Sequence, residues 1–147
     1  MSVKSIMSTK LVTIDQDANL KTIKQMFEKV NFRHLLVEEK GELCGIISDR
    51  DLFRALNPKV DSIYATDKDL ACLNKKAHQI MSRHPLCLSP ESTIFDAVHL
   101  FNHNKVSCIP IVNQANHAVG IVSWRDILRA LERKMLENQR TGLGENA

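Results

Sequence analysis

The chain has 147 residues, 44% hydrophobic and 25% charged, with a formal net charge of +3, the balance of an ordinary globular protein. Its 20 basic residues are interspersed with 17 acidic ones, and no aromatic-interleaved basic run tracks a phosphate backbone, which speaks against a nucleic-acid partner. No apolar stretch approaches the roughly 20 residues of a membrane span, and residues 1–7 are too short and polar for a signal peptide, so no membrane partner and a cytoplasmic location are expected.

In chain order, Leu11-Val12-Thr13-Ile14 is a short β-rich run, and Asp15-Gln16-Asp17 reads as a turn and helix N-cap. Leu20, Ile23, Met26, Phe27 and Val30 then recur at spacings of three and four. They form the buried stripe of an amphipathic helix whose other face carries Lys21, Lys24, Gln25 and Glu28. Two strands, around Leu35-Leu36-Val37 and Leu43–Ile47, are joined by a polar turn at 38–42, and a second helix carries Leu52, Phe53, Ala55 and Leu56 and stops before Pro58. Residues 57–76 form a polar connector, long for a structureless loop, in which a short helix is expected from Thr66 or Asp67, either of which can cap the segment through 70–73.

The same order then returns. Leu86-Cys87-Leu88 matches the first strand, and Ile94, Ala97, Val98 and Phe101 the helix stripe. Ile109-Pro110-Ile111-Val112 and Ala118–Val122 match the hairpin, and Ser123 or Trp124 opens the last helix. Ile6-Met7-Ser8 and Ile80-Met81-Ser82 precede the two copies. One residue is inserted between them, in the turn at 38–42 against 112–117. After Leu131 the last helix continues to about Arg140, with Ile127, Leu131, Met135 and Leu136 along one side, as a dimer contact or a docking helix; residues 141–147 should fray. The expected division is a first repeat at 1–56, a connector at 57–76, a second repeat at 77–131 and an extension at 132–147. A unit of about fifty residues cannot cover its own apolar face, so two β-α-β-β-α repeats should pack with pseudo-two-fold symmetry into one α/β (α+β) module.

The best-kept stretch is Gly45-Ile46-Ile47-Ser48-Asp49-Arg50-Asp51 against Gly120-Ile121-Val122-Ser123-Trp124-Arg125-Asp126. In each, a strand runs directly into a helix N-terminus, where free N–H groups and the helix dipole attract anions. Arg50 and Arg125 can add bidentate contacts to a phosphate, and the acceptor-only carboxylates of Asp51 and Asp126 suit a pair of sugar hydroxyls. The plain alternative is that Ser48 and Ser123 only cap helices and the aspartates only complement the dipole, since Ser-x-x-Asp is also a helix-start pattern.

With these residues in hand, the chain resembles a tandem pair of CBS domains, the cystathionine-β-synthase-type regulatory module, of the stand-alone acetoin-utilisation type. The resemblance rests on both Ile-Met-Ser segments, the apolar helix stripes, Ile109-Pro110-Ile111-Val112 and the two Gly-h-h-Ser-x-Arg-Asp motifs, where h is apolar. It implies a non-enzymatic sensor that requires no cofactor and takes an adenosine-containing ligand, AMP, ADP, ATP, S-adenosylmethionine or NAD, in clefts between the repeats. It also implies a homodimer that signals to an effector protein. Carried over, Asp51 and Asp126 would hold ribose hydroxyls, Ser48 and Ser123 ribose or phosphate, and Arg50 and Arg125 phosphate. The adenine would lie against Val12, Thr13, His34 and Leu35 at one motif, and against Leu86, Cys87, Cys108 and Ile109 at the other. The chain departs from the family pattern in two places: Leu36 stands where the second copy has Pro110, and Trp124 where the first has Asp49.

Rival readings remain open at this point. One is an interaction module with vestigial clefts, whose function lies in dimerisation and the last helix. Another is a nucleotide hydrolase, disfavoured because there is no P-loop or carboxylate cluster. No metal site is expected. Asp96, His99 and His103 share a helix face but lack the four ligands of a structural zinc site, and Asp61, Asp67 and Asp69 lack calcium-loop spacing. Cys44, Cys72, Cys87 and Cys108 have no CxxC spacing and are expected as free thiols. A Cys–His pair of Cys108 with His34 lacks an orienting third residue.

Overall fold

A computed structural model describes residues 1–29 and 31–145, with the side chains of 143–145 excepted. Val30, expected at the end of the first helix stripe, lies outside the described residues, as do Asn146 and Ala147. The chain divides into two compact units, one of residues 1–10, 86–114 and 118–147, the other of residues 11–85 and 115–117.

The second of these units is built on a four-stranded sheet. β1 (Thr13–Asp15) pairs parallel with β2 (His34–Glu39), β2 antiparallel with β3 (Glu42–Ser48), and β3 antiparallel with β4 (Ser82–Arg83). Between β1 and β2 runs α1 (Leu20–Lys29). Its N-cap is Asn19, whose side chain accepts from the Thr22 N–H at 2.9 Å, and not the expected 15–17 segment, where Asp15 closes a local turn onto the Asp17 N–H. Leu20 and Ile23 are fully buried against Leu35, Val37 and Ile47, with Met26 and Phe27 packed at the margin. Each such aliphatic side chain contributes about 1.5–3 kcal/mol. A tight turn with Lys40 and Gly41 at positive φ joins β2 to β3, and α2 (Asp49–Ala55) follows directly.

The connector carries α3 (Asp67–Leu70), which Thr66 caps as anticipated, with Thr66 and Asp69 bonding each other's backbone N–H. Lys24 of α1 reaches Asp61 at 2.9 Å and pins this segment down. A second short helix, α4 (Ala77–Ile80), was not evident in the sequence pattern.

The first unit repeats the plan with fewer regular bonds. α5 (Ile94–His103) is capped by a Thr93–Asp96 box, and β5 (Cys108–Val112) pairs antiparallel with β6 (Ala118–Ser123). α6 (Trp124–Glu145) runs unbroken past Thr141, where fraying was expected. Val3, Ala97, Ile109, Ile111 and Val122 form the core. The strand expected over 86–88 is reduced to a single bridge, Leu88 to Ile111. In the other unit the Leu36 N–H donates to the Val12 carbonyl at 3.0 Å; Pro110, at the equivalent place, has no N–H to give.

The packing units do not coincide with the sequence repeats, because each sequence repeat lends its opening segment to the other's unit. Residues 75–83 complete the unit of the first repeat: the Ala77 N–H donates to Ala18 O at 2.8 Å and the Leu20 N–H to Lys75 O at 2.7 Å. At equivalent positions of the other unit, the Val3 N–H donates to Ser92 O at 2.8 Å and the Ile94 N–H to Met1 O at 3.3 Å, while Ser8 bridges Ile121. The methionine of each Ile-Met-Ser segment lies on the motif glycine. A Cβ on Gly45 would stand 2.3 Å from Met81 Sδ, and one on Gly120 at 2.3 Å from Met7 Sδ. These glycines are therefore places of close approach in a strand, not φ-driven turns.

Candidate functional site

Both Ser-x-x-Asp sequences are realised as capping boxes. At the first motif Ser48 Oγ accepts from the Asp51 N–H at 3.1 Å, and the Ser48 N–H donates to Asp51 Oδ2 at 2.8 Å. At the second, Ser123 Oγ accepts from the Asp126 N–H at 3.2 Å, and the Ser123 N–H donates to Asp126 Oδ2 at 2.8 Å. Ser123 Oγ also donates to Oδ2 at 3.1 Å. The capping and the ligand readings of these residues are compatible, because the cap uses only Oδ2. Among the described residues Asp51 Oδ1 accepts no hydrogen bond, and Asp126 Oδ1 meets only the Arg129 guanidinium, at 3.9 Å. Each carboxylate is thus held in one rotamer by backbone and keeps an acceptor oxygen at a half-buried helix start.

The strand register brings the neighbouring candidates alongside. His34 lies opposite Ser48 on β2 and β3, and the Asp49 N–H donates to Arg33 O at 3.0 Å. Burial pushes the His34 imidazole below its usual range, against the opposing pull of Asp49 and Asp51, so it is neutral at physiological pH. Thr13, exposed on β1, pairs with Leu36, and Val12 just before it accepts the Leu36 N–H at 3.0 Å. In the other unit Cys108 lies opposite Ser123, and Leu86 and Cys87 lead into the Leu88 bridge.

The remaining predicted residues are placed differently. Leu35 and Ile109 are 0% exposed in the two cores, backbone as well as side chain, so neither offers a ligand an open atom. Arg50 lines an open hollow of about 310 Å3 with Asp49, Phe53 and Arg54. Arg125 is exposed; the cations that line a hollow with Asp126 are Arg129 and Arg133, joined by Ile6 and Glu132. Helical spacing of three and seven residues from Asp126 is the signal that points to them. Trp124 is half exposed.

Little here suits covalent chemistry. Burial pushes the Cys108 thiol up to about 12 and also raises Cys87 and Cys44, so these groups are thiols and not nucleophilic thiolates near neutral pH. None of the four cysteines is in a disulfide among the described residues. Among the described residues no group of three or more His, Cys, Asp or Glu is placed to hold a metal. His99 and His103 on α5 stack on each other at 4.1 Å, with His103 Nδ1 at 2.8 Å from His99 O. Among the described residues no helix is long and apolar enough to cross a membrane.

The family model of the CBS domain matches residues 3–58 and 77–133. An uncharacterized protein of Methanocaldococcus jannaschii is 28% identical over 145 residues, 94% of this chain and 49% of that protein. The chain therefore spans about half the length of that relative. Among solved structures, the CBS domain pair of protein MJ0100, in complex with 5′-methylthioadenosine and S-adenosyl-L-methionine, is 26% identical at a TM-score of 0.69. The match covers 89% of this chain and 99% of that one. A Vibrio cholerae protein assigned to acetoin utilization has the same fold at a TM-score of 0.72 and 22% identity, covering 96% of each chain.

Proposed function

This chain belongs to the CBS-domain family as a tandem pair, and from that premise we propose that it is a sensor which binds an adenosine-containing ligand at its two Ser-x-x-Asp motifs and reports occupancy to a partner protein. Pairs of CBS domains are regulatory, non-catalytic modules. The observation that carries the proposal is the duplicated carboxylate, fixed by its cap through Oδ2 while Oδ1 has no backbone partner. Such an oxygen accepts hydrogen bonds and donates none, which matches a sugar diol and mismatches a second anion. The methylthioadenosine and S-adenosylmethionine on the related pair support an adenosine ligand for this one.

The route outward is through α6. Leu128, Leu131, Met135 and Leu136 are each about half exposed along one side of that helix, the side read from the sequence as a dimer contact or docking surface. A second copy of the chain or an effector protein would cover them, and ligand would be felt there only if it binds two arrangements of the pair unequally.

A thermal-shift panel of AMP, ADP, ATP, NAD, S-adenosylmethionine and 5′-methylthioadenosine, with guanosine nucleotides as controls, tests the proposal. A ligand at about 100 times its Kd adds about 2.7 kcal/mol, or roughly 5–10 °C for a chain of this size. The expected result is a shift confined to adenosine compounds. A flat panel at millimolar concentration would overturn the sensor and leave α6 as the functional surface.

A further inference from the structure

The two motifs are not equivalent beyond the aspartate. At the second, Asp126, Arg129 and Arg133 lie one after another along α6 and line one open hollow of about 400 Å3 together with Ile6 and Glu132. The Arg129 guanidinium stands 3.9 Å from Asp126 Oδ1, and Arg133 lies seven residues, about 10 Å, along the helix axis from Asp126. Spacings of three and seven residues put all three side chains on one face of the helix. At the first motif the equivalent residues are Arg54 and Pro58. Proline carries no charge, and Arg54 turns to the hollow of Asp49, Arg50 and Phe53, which Asp51 does not line.

We infer that Arg129 and Arg133 form a phosphate clamp, so that the second motif selects adenosine ligands with a 5′-phosphate while the first binds phosphorylated and unphosphorylated adenosines more nearly alike. This rests on the reading of Asp126 as the ribose acceptor. Glu132, on the same hollow, opposes an anion and sets the need for two cations instead of one. A bidentate guanidinium contact to phosphate is a charge-assisted pair, and both arginines are exposed, so each is worth a modest factor that salt weakens.

The test is calorimetric titration of AMP and of 5′-methylthioadenosine, which lacks the phosphate, in an Asp51→Asn background where the second motif alone reports. With Arg129→Gln and Arg133→Gln added, AMP affinity is expected to fall roughly tenfold and methylthioadenosine affinity to change by less than about twofold. Glu132→Gln should move AMP affinity upward. A parallel loss of both ligands, or no change in either, overturns the clamp. If Asp126→Asn abolishes both ligands while the arginine pair is without effect, the ribose assignment stands and the clamp alone fails. If neither ligand binds the Asp51→Asn protein, both fall.

Discussion

Gly45→Val is expected to lower the unfolding free energy by about 2–4 kcal/mol, a drop of roughly 5–15 °C in melting midpoint. The new Cβ alone would sit 2.3 Å from Met81 Sδ, 2.8 Å from its Cγ and 3.1 Å from its Cβ. The Sδ and Cγ contacts force the Met81 side chain to move, and the Cβ contact limits how far it can, because a Cβ moves only with its backbone. Met81 is anchored by its N–H to Ala77 O at 3.0 Å, and the segment around it is paired to β3 through β4. Gly120→Val should cost less, since the three Met7 atoms it would meet, Sδ, Cγ and Cε, all belong to the flexible end of the side chain. Denaturant melts of each single variant and of Gly45→Val with Met81→Ala measure the coupling. Met81→Ala should restore more than about 1 kcal/mol to the valine variant, although alone it is destabilising. Additive costs would show that the glycine is required for some other reason.

The second large effect is on affinity. Asp51→Asn and Asp126→Asn should each weaken adenosine binding at their own motif on the order of a hundredfold while leaving the melting temperature almost unchanged. Asparagine keeps a carbonyl oxygen to accept the Ser48 or Ser123 N–H, so the cap survives. What it loses is the charge and the remaining acceptor oxygen, replaced by an amide that only donates, about 1.5–3 kcal/mol per charge-assisted bond. Alanine at the same places removes the cap as well and should cost about 1 kcal/mol of stability in addition. Isothermal titration beside melting curves of the four variants separates the two roles. Unchanged affinity in the asparagine variants would mean that these aspartates serve the helices only.

α1 and α5 were readable because each turns an apolar stripe inward, and Leu20, Ile23 and Ala97 are fully buried as their spacing demanded. Local chemistry was ambiguous where two residues could do one job, as with Asn19 capping α1 in preference to the 15–17 turn. The loss of a first strand in the second copy traces to Pro110, whose missing N–H is visible in the sequence but whose partner carbonyl is not. Long-range placement was illegible. Neither the exchange of the Ile-Met-Ser segments nor the reason for Gly45 and Gly120 follows from any local window, since Met81 and Met7 come from far along the chain. At the site the Ser–Asp pairs were legible because they are local. Arg129 and Arg133 matter only because α6 carries them into the hollow beside Ile6 and Asp126, whereas Arg125, adjacent in sequence, points about 100° away around the helix.

The exchanged opening segments also impose an order on biosynthesis. All of residues 11–85 belong to one unit, so most of that unit can assemble as soon as Pro85 has left the ribosome. Residues 1–10 are made earlier still, yet Val3 must wait for Ser92 and Ser8 for Ile121 before they find their places. Residues 1–10 thus precede the 11–85 unit in translation but are seated after it, and until then the apolar side chains of Val3, Ile6 and Met7 lack their partners.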